Sequence, residues 1–483
     1  MKARLLKGWP AALSALLMLA AFPPLNLGLL AFAALAPWFI SLRGTSGWGA
    51  FRSGYLFGFL FQLGQLWFMQ PLISGWTKSF AMGIGPWVLG SAGTALFFAL
   101  FAVLARQCWR LQAPWAIALV WAGIEVFRSY IPFLGFPFGL AATPLWQYAP
   151  IIQTAHYGTI YLVSAWVALA NVVLALFLAK EPAAKLRTPL LVCFLIFSLS
   201  LVRYTVQPQG TKKVIIAGQL GVNLGFVEPG YQLKVQAAVE SLFERAKIQG
   251  ASLLVLPEGT AQSDGEIPPN LLFDYPRTGL PFVLGGQRGV KPRYQSAYAY
   301  DGRWQFADKT KLVIFGEYVP GRDWIPFLKS FNLPGGDLTP GDKVGTYDVG
   351  DIRVGPMLCF EGLFADLAIQ HARNGAQLLA ILSIDDWFMG TNAPEQLKAA
   401  SVFRAIEAGV PLIRAASLGY TLAVDARGHI LSEAPLREFF ALRAELTIPD
   451  KPDLFPWIDV FPWVAIGSCV VVPVVAQWKQ RRV

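Results

Sequence analysis

Three side chains of this sequence combine into one kind of chemistry: a thiol, an acid and an amine, each at the end of a strand-like run. Cys359 closes "VGPMLC", Glu258 closes "LLVLPE" and Lys309 closes "WQFADK". Strand ends that feed loops are where α/β folds place reactive groups. A carboxylate shielded from water can take the thiol proton, and the thiolate is the competent nucleophile. A fixed ammonium can stabilise both that thiolate and the oxyanion of a tetrahedral intermediate. The three together describe a thiol acyl-transfer site. Taken singly, each has a plainer reading: Glu258 as a loop acid, Lys309 as a solvated hairpin charge, Cys359 as a small buried hydrophobe.

Other chemistries find little support. The only histidines are His156, His371 and His429, with no metal-ligand spacing between them, and the four cysteines are scattered. Neither a metal nor a cofactor is expected. No Lys/Arg run with interleaved aromatics suggests a nucleic-acid partner.

The elements that must position the three groups divide the chain. It has 483 residues, 55% of them hydrophobic, with 17 Trp and 35 Phe, above the ~45–50% of an ordinary soluble domain. The excess is concentrated in residues 1–205, the predicted multi-span transmembrane domain, and in 457–477, a closing helix. Apolar blocks at roughly 8–22, 27–42, 53–70, 86–106, 114–130, 158–179, 188–204 and 457–477 predict eight spans. The first block is followed by "FPPLNLGLL" rather than a small-residue cleavage site, so it is expected to be retained as a helix and not removed as a signal peptide.

Lys and Arg set the expected orientation. Lys2, Arg4 and Lys7; Arg43 and Arg52; Arg106 and Arg110; Lys180, Lys185 and Arg187; and Lys479, Arg481 and Arg482 all fall on one side of eight spans. That side is predicted to be cytoplasmic, which puts residues 213–447 outside the cytoplasm. Most of the net charge of +10 is accounted for by these anchors. Cys108, Cys193 and Cys469 lie in or at the ends of the spans, so Cys359 has no disulfide partner within its own domain.

Residues 213–447 read as a mixed domain. "KVIIAGQL", "SLLVLPEG", "LPFVLGG", "SAYAYDG", "WQFADK", "DIRVGPMLCF" and "AQLLAILS" are strand candidates, with helical patterns over about 230–248, 361–374 and 394–409. Asp301-Gly302 is a hairpin signal. The combination predicts an α/β sandwich. A Pro/Gly-rich stretch at 319–345 predicts a long irregular loop, of the kind that usually serves function.

At the three reactive positions the sequence resembles the carbon–nitrogen hydrolase (nitrilase) superfamily. Over nearly its whole length it resembles one membrane branch of that superfamily, the apolipoprotein N-acyltransferases. The residues that carry the likeness are "LPEG", "DKTKLVIFGEYVP", "LCFEGLF", "SIDDWF", "FRAIEAGVPLIRAAS" and, in the membrane half, "IEVFRSYIPFLGFPF". The resemblance implies an α-β-β-α sandwich outside the inner membrane of a bacterium, Glu258 as general base, Lys309 as oxyanion-stabilising cation and Cys359 as nucleophile. Glu317 and Glu361 become supporting acids that orient the lysine and shape the site. Phe226, Phe360 and Trp387 become substrate-binding residues. The implied partners are a phospholipid acyl donor and a diacylated lipoprotein acceptor, exchanged through a thioester in ping-pong order. The chain departs from the family pattern at Phe360, where Tyr is usual, at Phe226, where Trp is usual, and at Ile314, Lys311 and "SLG" (417–419). A membrane-tethered amidase, a paralogue acylating another amine and a catalytically silent scaffold are the alternatives.

Overall fold

The apolar run predicted at 213–220 becomes β1 (Thr211–Leu220), and alternation along it shows how the domain is layered. Ile215 and Ala217 point to one apolar core, and Ile216, between them, to another. The same switch recurs at Leu253/Val255 against Leu254, and at Val283 against Phe282 and Leu284. Successive strand side chains point to opposite faces, so a strand apolar at every position must be covered on both sides.

The computed structural model describes residues 8–263, 265, 279–322, 324–326, 333 and 336–481. Among these, two compact units are distinguished: residues 8–206 with Thr391–Ala399 and 455–481, and residues 207–390 with Ala400–Leu454.

The second unit holds the strands. The rest are β2 (Leu253–Val255), β3 (Ala261–Ser263), β4 (Phe282–Arg288), β5 (Tyr294–Tyr300), β6 (Trp304–Asp308), β7 (Tyr347–Val349), β8 (Ile352–Leu358), β9 (Leu378–Ser383), β10 (Leu412–Ala416), β11 (Leu422–Val424), β12 (Ile430–Glu433) and β13 (Phe439–Ile448). One sheet runs β13-β1-β2-β4-β5-β6 with β3 beside β4; the other runs β12-β11-β10-β9-β8-β7. Pairing is parallel at the centre of each sheet, for β1, β2 and β4 and for β8, β9 and β10.

The inner core lies between the sheets, where Ile215, Val255 and Val283 of one meet Val354, Leu382 and Ile413 of the other. The outer face of the first sheet is covered by helix Tyr231–Ile248 through Val239, Leu242 and Phe243. Against β8, Gly355 leaves room for the His371 side chain of helix Ala365–Arg373; a Cβ there would lie 2.7 Å from His371 Cβ. The expected helix–sheet–sheet–helix sandwich is the observed one. The predicted hairpin is also present: Tyr300 pairs with Trp304 across a three-residue loop, with Gly302 at φ 107°.

The first unit is helical, and every predicted apolar block contains helix. Among the described residues, four helices are long and apolar enough to cross a membrane: Phe80–Arg110, Ala155–Leu178, Ala183–Thr205 and Val460–Gln480. Gly47–Gln65 and Met69–Thr77 add a fifth span if the pair, bent by 54°, is counted as one. The remaining blocks form shorter helices. Trp9–Ala21 has 13 residues and Ala116–Tyr130 has 15, against the ~20 needed for a ~30 Å hydrocarbon core. Phe194, Leu195, Trp463 and Val470 are exposed on two of the long helices. Such apolar exposure suits a lipid environment and not water.

Of the predicted loop at 319–345, residues 323, 327–332, 334 and 335 lie outside the described residues, as do the anchors Lys2, Arg4, Lys7 and Arg482.

Candidate active site

Direction in the sheets decides where reactive groups gather. β2 and β4 are parallel; β5 reverses and β6 reverses again, so β6 ends at the same edge as β2. Glu258 lies three residues beyond β2 and Lys309 directly follows β6, which brings both to one edge of the first sheet. Cys359 directly follows β8 in the second sheet.

Each is held by local backbone chemistry. The turn at Glu258 is stitched to β4: Thr260 N donates to Gly285 O at 2.9 Å, and Gly285 N donates to Pro257 O at 3.1 Å. The approach is so close that a Cβ at Gly285 would lie 2.6 Å from Glu258 Cα. Only glycine fits there. Lys309 N donates to Gln295 O at 2.7 Å. Cys359 itself has φ 49°, a left-handed conformation for a residue with a side chain. That costs roughly 1–3 kcal/mol and tends to occur at functional sites.

Glu361 explains what holds Cys359 in this bend. Its Oε2 accepts from Leu358 N at 2.9 Å, and its Oε1 accepts from Thr310 N at 2.7 Å, Thr310 Oγ1 at 2.9 Å and Lys311 N at 3.2 Å. One carboxylate thus ties the backbone after Lys309 to the backbone before Cys359. Glu317, rather than Glu361, grips the lysine directly. Its Oε1 lies 2.7 Å from Lys309 Nζ, while its Oε2 accepts from Val313 N at 2.8 Å. Glu258 Oε1 lies farther off, 3.6 Å from the same ammonium.

Glu258, Lys309, Cys359 and Glu361 are all buried, and burial disfavours every charged form. It pushes Glu258 up to about 7, helped by the negative charges of Glu317 and Glu361 and opposed by Lys309. Burial would also deprotonate Lys309, but Glu258, Glu317 and Cys359 outweigh it and hold the lysine above its ordinary range. The Cys359 thiol is pushed up to about 12 by burial and by Glu258, against the pull of Lys309. At neutral pH the site therefore rests as thiol and ammonium, beside a carboxyl near the midpoint of its titration. This is a pairing suited to proton transfer during attack and not before it.

Behind the sulfur lies a polar network that sequence reasoning missed. The Ser383 hydroxyl donates to Asp385 Oδ1 at 2.7 Å. Arg414, inside β10, donates to the same Oδ1 at 2.6 Å and to Ser383 Oγ at 3.0 Å, with both Arg414 and Asp385 at 0% exposure. Two acids at the end of an all-apolar strand, and an arginine within another, were the available signals.

Asp386 organises the neighbouring loop. It accepts from Leu224 N at 2.6 Å, Ser417 Oγ at 2.5 Å and Leu418 N at 3.1 Å, and burial pushes it up to about 6. The loop after β1 is thereby laid on Trp387, and Phe226 packs edge-on against that indole at 5.4 Å. Phe360 is buried and packs edge-on against Phe364 at 5.2 Å.

Comparison with known proteins places this geometry. A family model described as apolipoprotein N-acyltransferase N-terminal domain matches residues 14–173, and one described as carbon-nitrogen hydrolase matches 289–446. The apolipoprotein N-acyltransferase of Geobacter metallireducens is 31% identical over 95% of this chain and 94% of its own length. Those of Rhizobium rhizogenes and Rhizobium meliloti are 28% and 30% identical over 81% and 78% of this chain, and over 79% and 76% of their own lengths. With a relative above 30% identity along nearly its whole length, helical unit and two-sheet unit alike, the chain belongs to the apolipoprotein N-acyltransferase family.

Proposed function

We propose that this enzyme moves a fatty acyl chain from a membrane phospholipid, through a thioester on Cys359, to the free α-amine of a lipoprotein's diacylglyceryl-cysteine. The observation that carries the proposal is the shared edge where Glu258 and Glu317 flank Lys309, with the Cys359 thiol, on a residue at φ 49°, within reach of the charges of Glu258 and Lys309. In the first half-reaction Glu258 takes the thiol proton as Sγ attacks the ester carbonyl, and Lys309 stabilises the oxyanion. Collapse breaks the ester C–O bond, and the lysophospholipid alkoxide leaves with the proton from Glu258. In the second half-reaction the amine attacks the thioester, gives its proton to Glu258 and expels the thiolate, which is then reprotonated.

The family name of the relatives supports the acceptor, and the apolar helices supply the reason for a lipid donor. Residues 1–205 and 457–477 hold the enzyme in the inner membrane of a bacterium, and 213–447 form the catalytic domain on the periplasmic side, a reading supported by the distribution of Lys and Arg across the eight expected spans. Phe226, Trp387 and Phe360 line the path of the acyl chain or the acceptor.

The test is a chase of the isolated acyl-enzyme. A diacylglyceryl-cysteine peptide is expected to discharge it, with the acyl group recovered as an amide. Discharge by buffer at the same rate, giving free fatty acid, would make the enzyme an amidase-like hydrolase instead.

A further inference from the structure

A second polar site lies in the helical unit. A cavity of about 220 Å³ is lined by Arg43, Trp109, Gln112, Trp115, Glu181 and Lys185, among others. It gathers residues from three connections: the one after the helix ending at Ser41, the one between Phe80–Arg110 and Ala116–Tyr130, and the one between Ala155–Leu178 and Ala183–Thr205. These connections and the helix ends beside them are where the sequence concentrates Arg43, Arg106, Arg110, Lys180, Lys185 and Arg187.

The charges are arranged around one internal acid. Glu181 Oε1 lies 2.5 Å from Arg43 Nη1, and its Oε2 lies 2.8 Å from Lys185 Nζ. Its side chain is only 8% exposed, whereas those of Arg43 and Lys185 are 48% and 44% exposed. The two cations therefore open outward around a carboxylate that neutralises only one of them. A guanidinium has five N–H donors and an ammonium three, more than one carboxylate can take up. The first turn of helix Ala183–Thr205, which no side chain caps, lines the cavity through Ala184 and Lys185 and turns its positive dipole end to it. Trp109 fixes the apolar side: its indole donates to Phe39 O at 3.0 Å, and the Arg43 guanidinium lies 5.8 Å from its ring centroid.

We propose that this cavity binds the phosphodiester head group of an anionic phospholipid, with Arg43 and Lys185 as its cations and Glu181 as the internal competitor for them. Its volume is below the roughly 300–1,000 Å³ of pockets that engulf whole drug-sized ligands, so it suits a head group whose acyl chains remain along the helices. Exposed Trp115 at the rim is the side chain expected where a site opens at the lipid–water boundary. Basic pockets between spanning helices recognise anionic head groups by the same rule. None of these residues belongs to the proposed catalytic set, so basal acyl transfer serves as the folding control.

The test is native mass spectrometry of the full chain in detergent, titrated with phosphatidylglycerol, with phosphatidylcholine of matched chains, or with inorganic phosphate. Phosphatidylglycerol is expected to bind preferentially. Lys185→Gln is expected to weaken it about fivefold and Arg43→Gln/Lys185→Gln about 25-fold, with acyl transfer retained. Glu181→Gln should tighten binding, because the competitor is gone. Equal binding of the two lipids, or indifference to Lys185→Gln and to Glu181→Gln, would overturn the site. Displacement of the lipid by equimolar inorganic phosphate would overturn its assignment to a lipid. Should the double variant lose acyl transfer, the half-exposed Lys185→Gln decides alone.

Discussion

Glu317 Oε1 lies 2.7 Å from Lys309 Nζ, closer than Glu258 at 3.6 Å. The carboxylate nearest the lysine is therefore not the proposed base. That division leaves Glu258 able to change its charge during the reaction while Lys309 stays protonated. Glu317 also raises Glu258, so Glu317→Gln should lower the pH at which acylation is half-maximal and make Glu258 a weaker base. A pH profile of acyl-enzyme formation reads the shift, and an unmoved midpoint would separate Glu317 from the base.

Acyl-enzyme formation in the wild type should rise with pH through about 7 and then level off, because only the ionised Glu258 accepts the thiol proton. The sign follows from a raised carboxyl: below its midpoint it is protonated and inactive as a base. Glu258→Gln, nearly isosteric, should lose that dependence and cost ~10²–10⁴-fold in acylation, the usual worth of general base catalysis. Single-turnover rates at several pH values measure both effects.

Gly285 makes a steric prediction. Alanine there would bring a Cβ to within 2.6 Å of Glu258 Cα, a backbone atom that cannot rotate aside. Displacing the base by about 1 Å costs on the order of 10²-fold. Gly285→Ala should therefore approach Glu258→Gln in activity, although it leaves the carboxyl and the thiol chemically unchanged. Near-normal kinetics in Gly285→Ala would mean that the turn is softer than its hydrogen bonds imply.

The Asp385–Arg414 pair predicts a loss of stability. Asp385→Ala leaves a fully buried guanidinium without its carboxylate, at a cost of roughly 3–5 kcal/mol. Thermal unfolding of the full chain, or its protease half-life, should register that loss. An unchanged unfolding temperature would show that Arg414 finds another partner.

The legible part of the site was its strand ends. Apolar runs that stop at Glu258, Lys309 and Cys359 announce both sheet and edge, because burial on two faces demands such runs. The positions of Glu361 and Glu317 were visible but their division of labour was not, since it depends on which backbone amides lie within reach. The sequence pairs Glu361 with its neighbour Cys359, yet its carboxylate serves Leu358, Thr310 and Lys311. Asp385 and Arg414 are 29 residues apart and meet only because β9 and β10 pair in parallel. The expected spans rest on apolar composition, which does not report helix length: Trp9–Ala21 is as greasy as a span but ends after 13 residues.

The central claim is a thioester at one sulfur, and intact-mass measurement reaches it directly. The purified chain and its Cys359→Ala variant are incubated with phospholipid and weighed. The account predicts one added fatty acyl group on the wild type, released by hydroxylamine at neutral pH, and none on Cys359→Ala. An equal adduct on both proteins would contradict it.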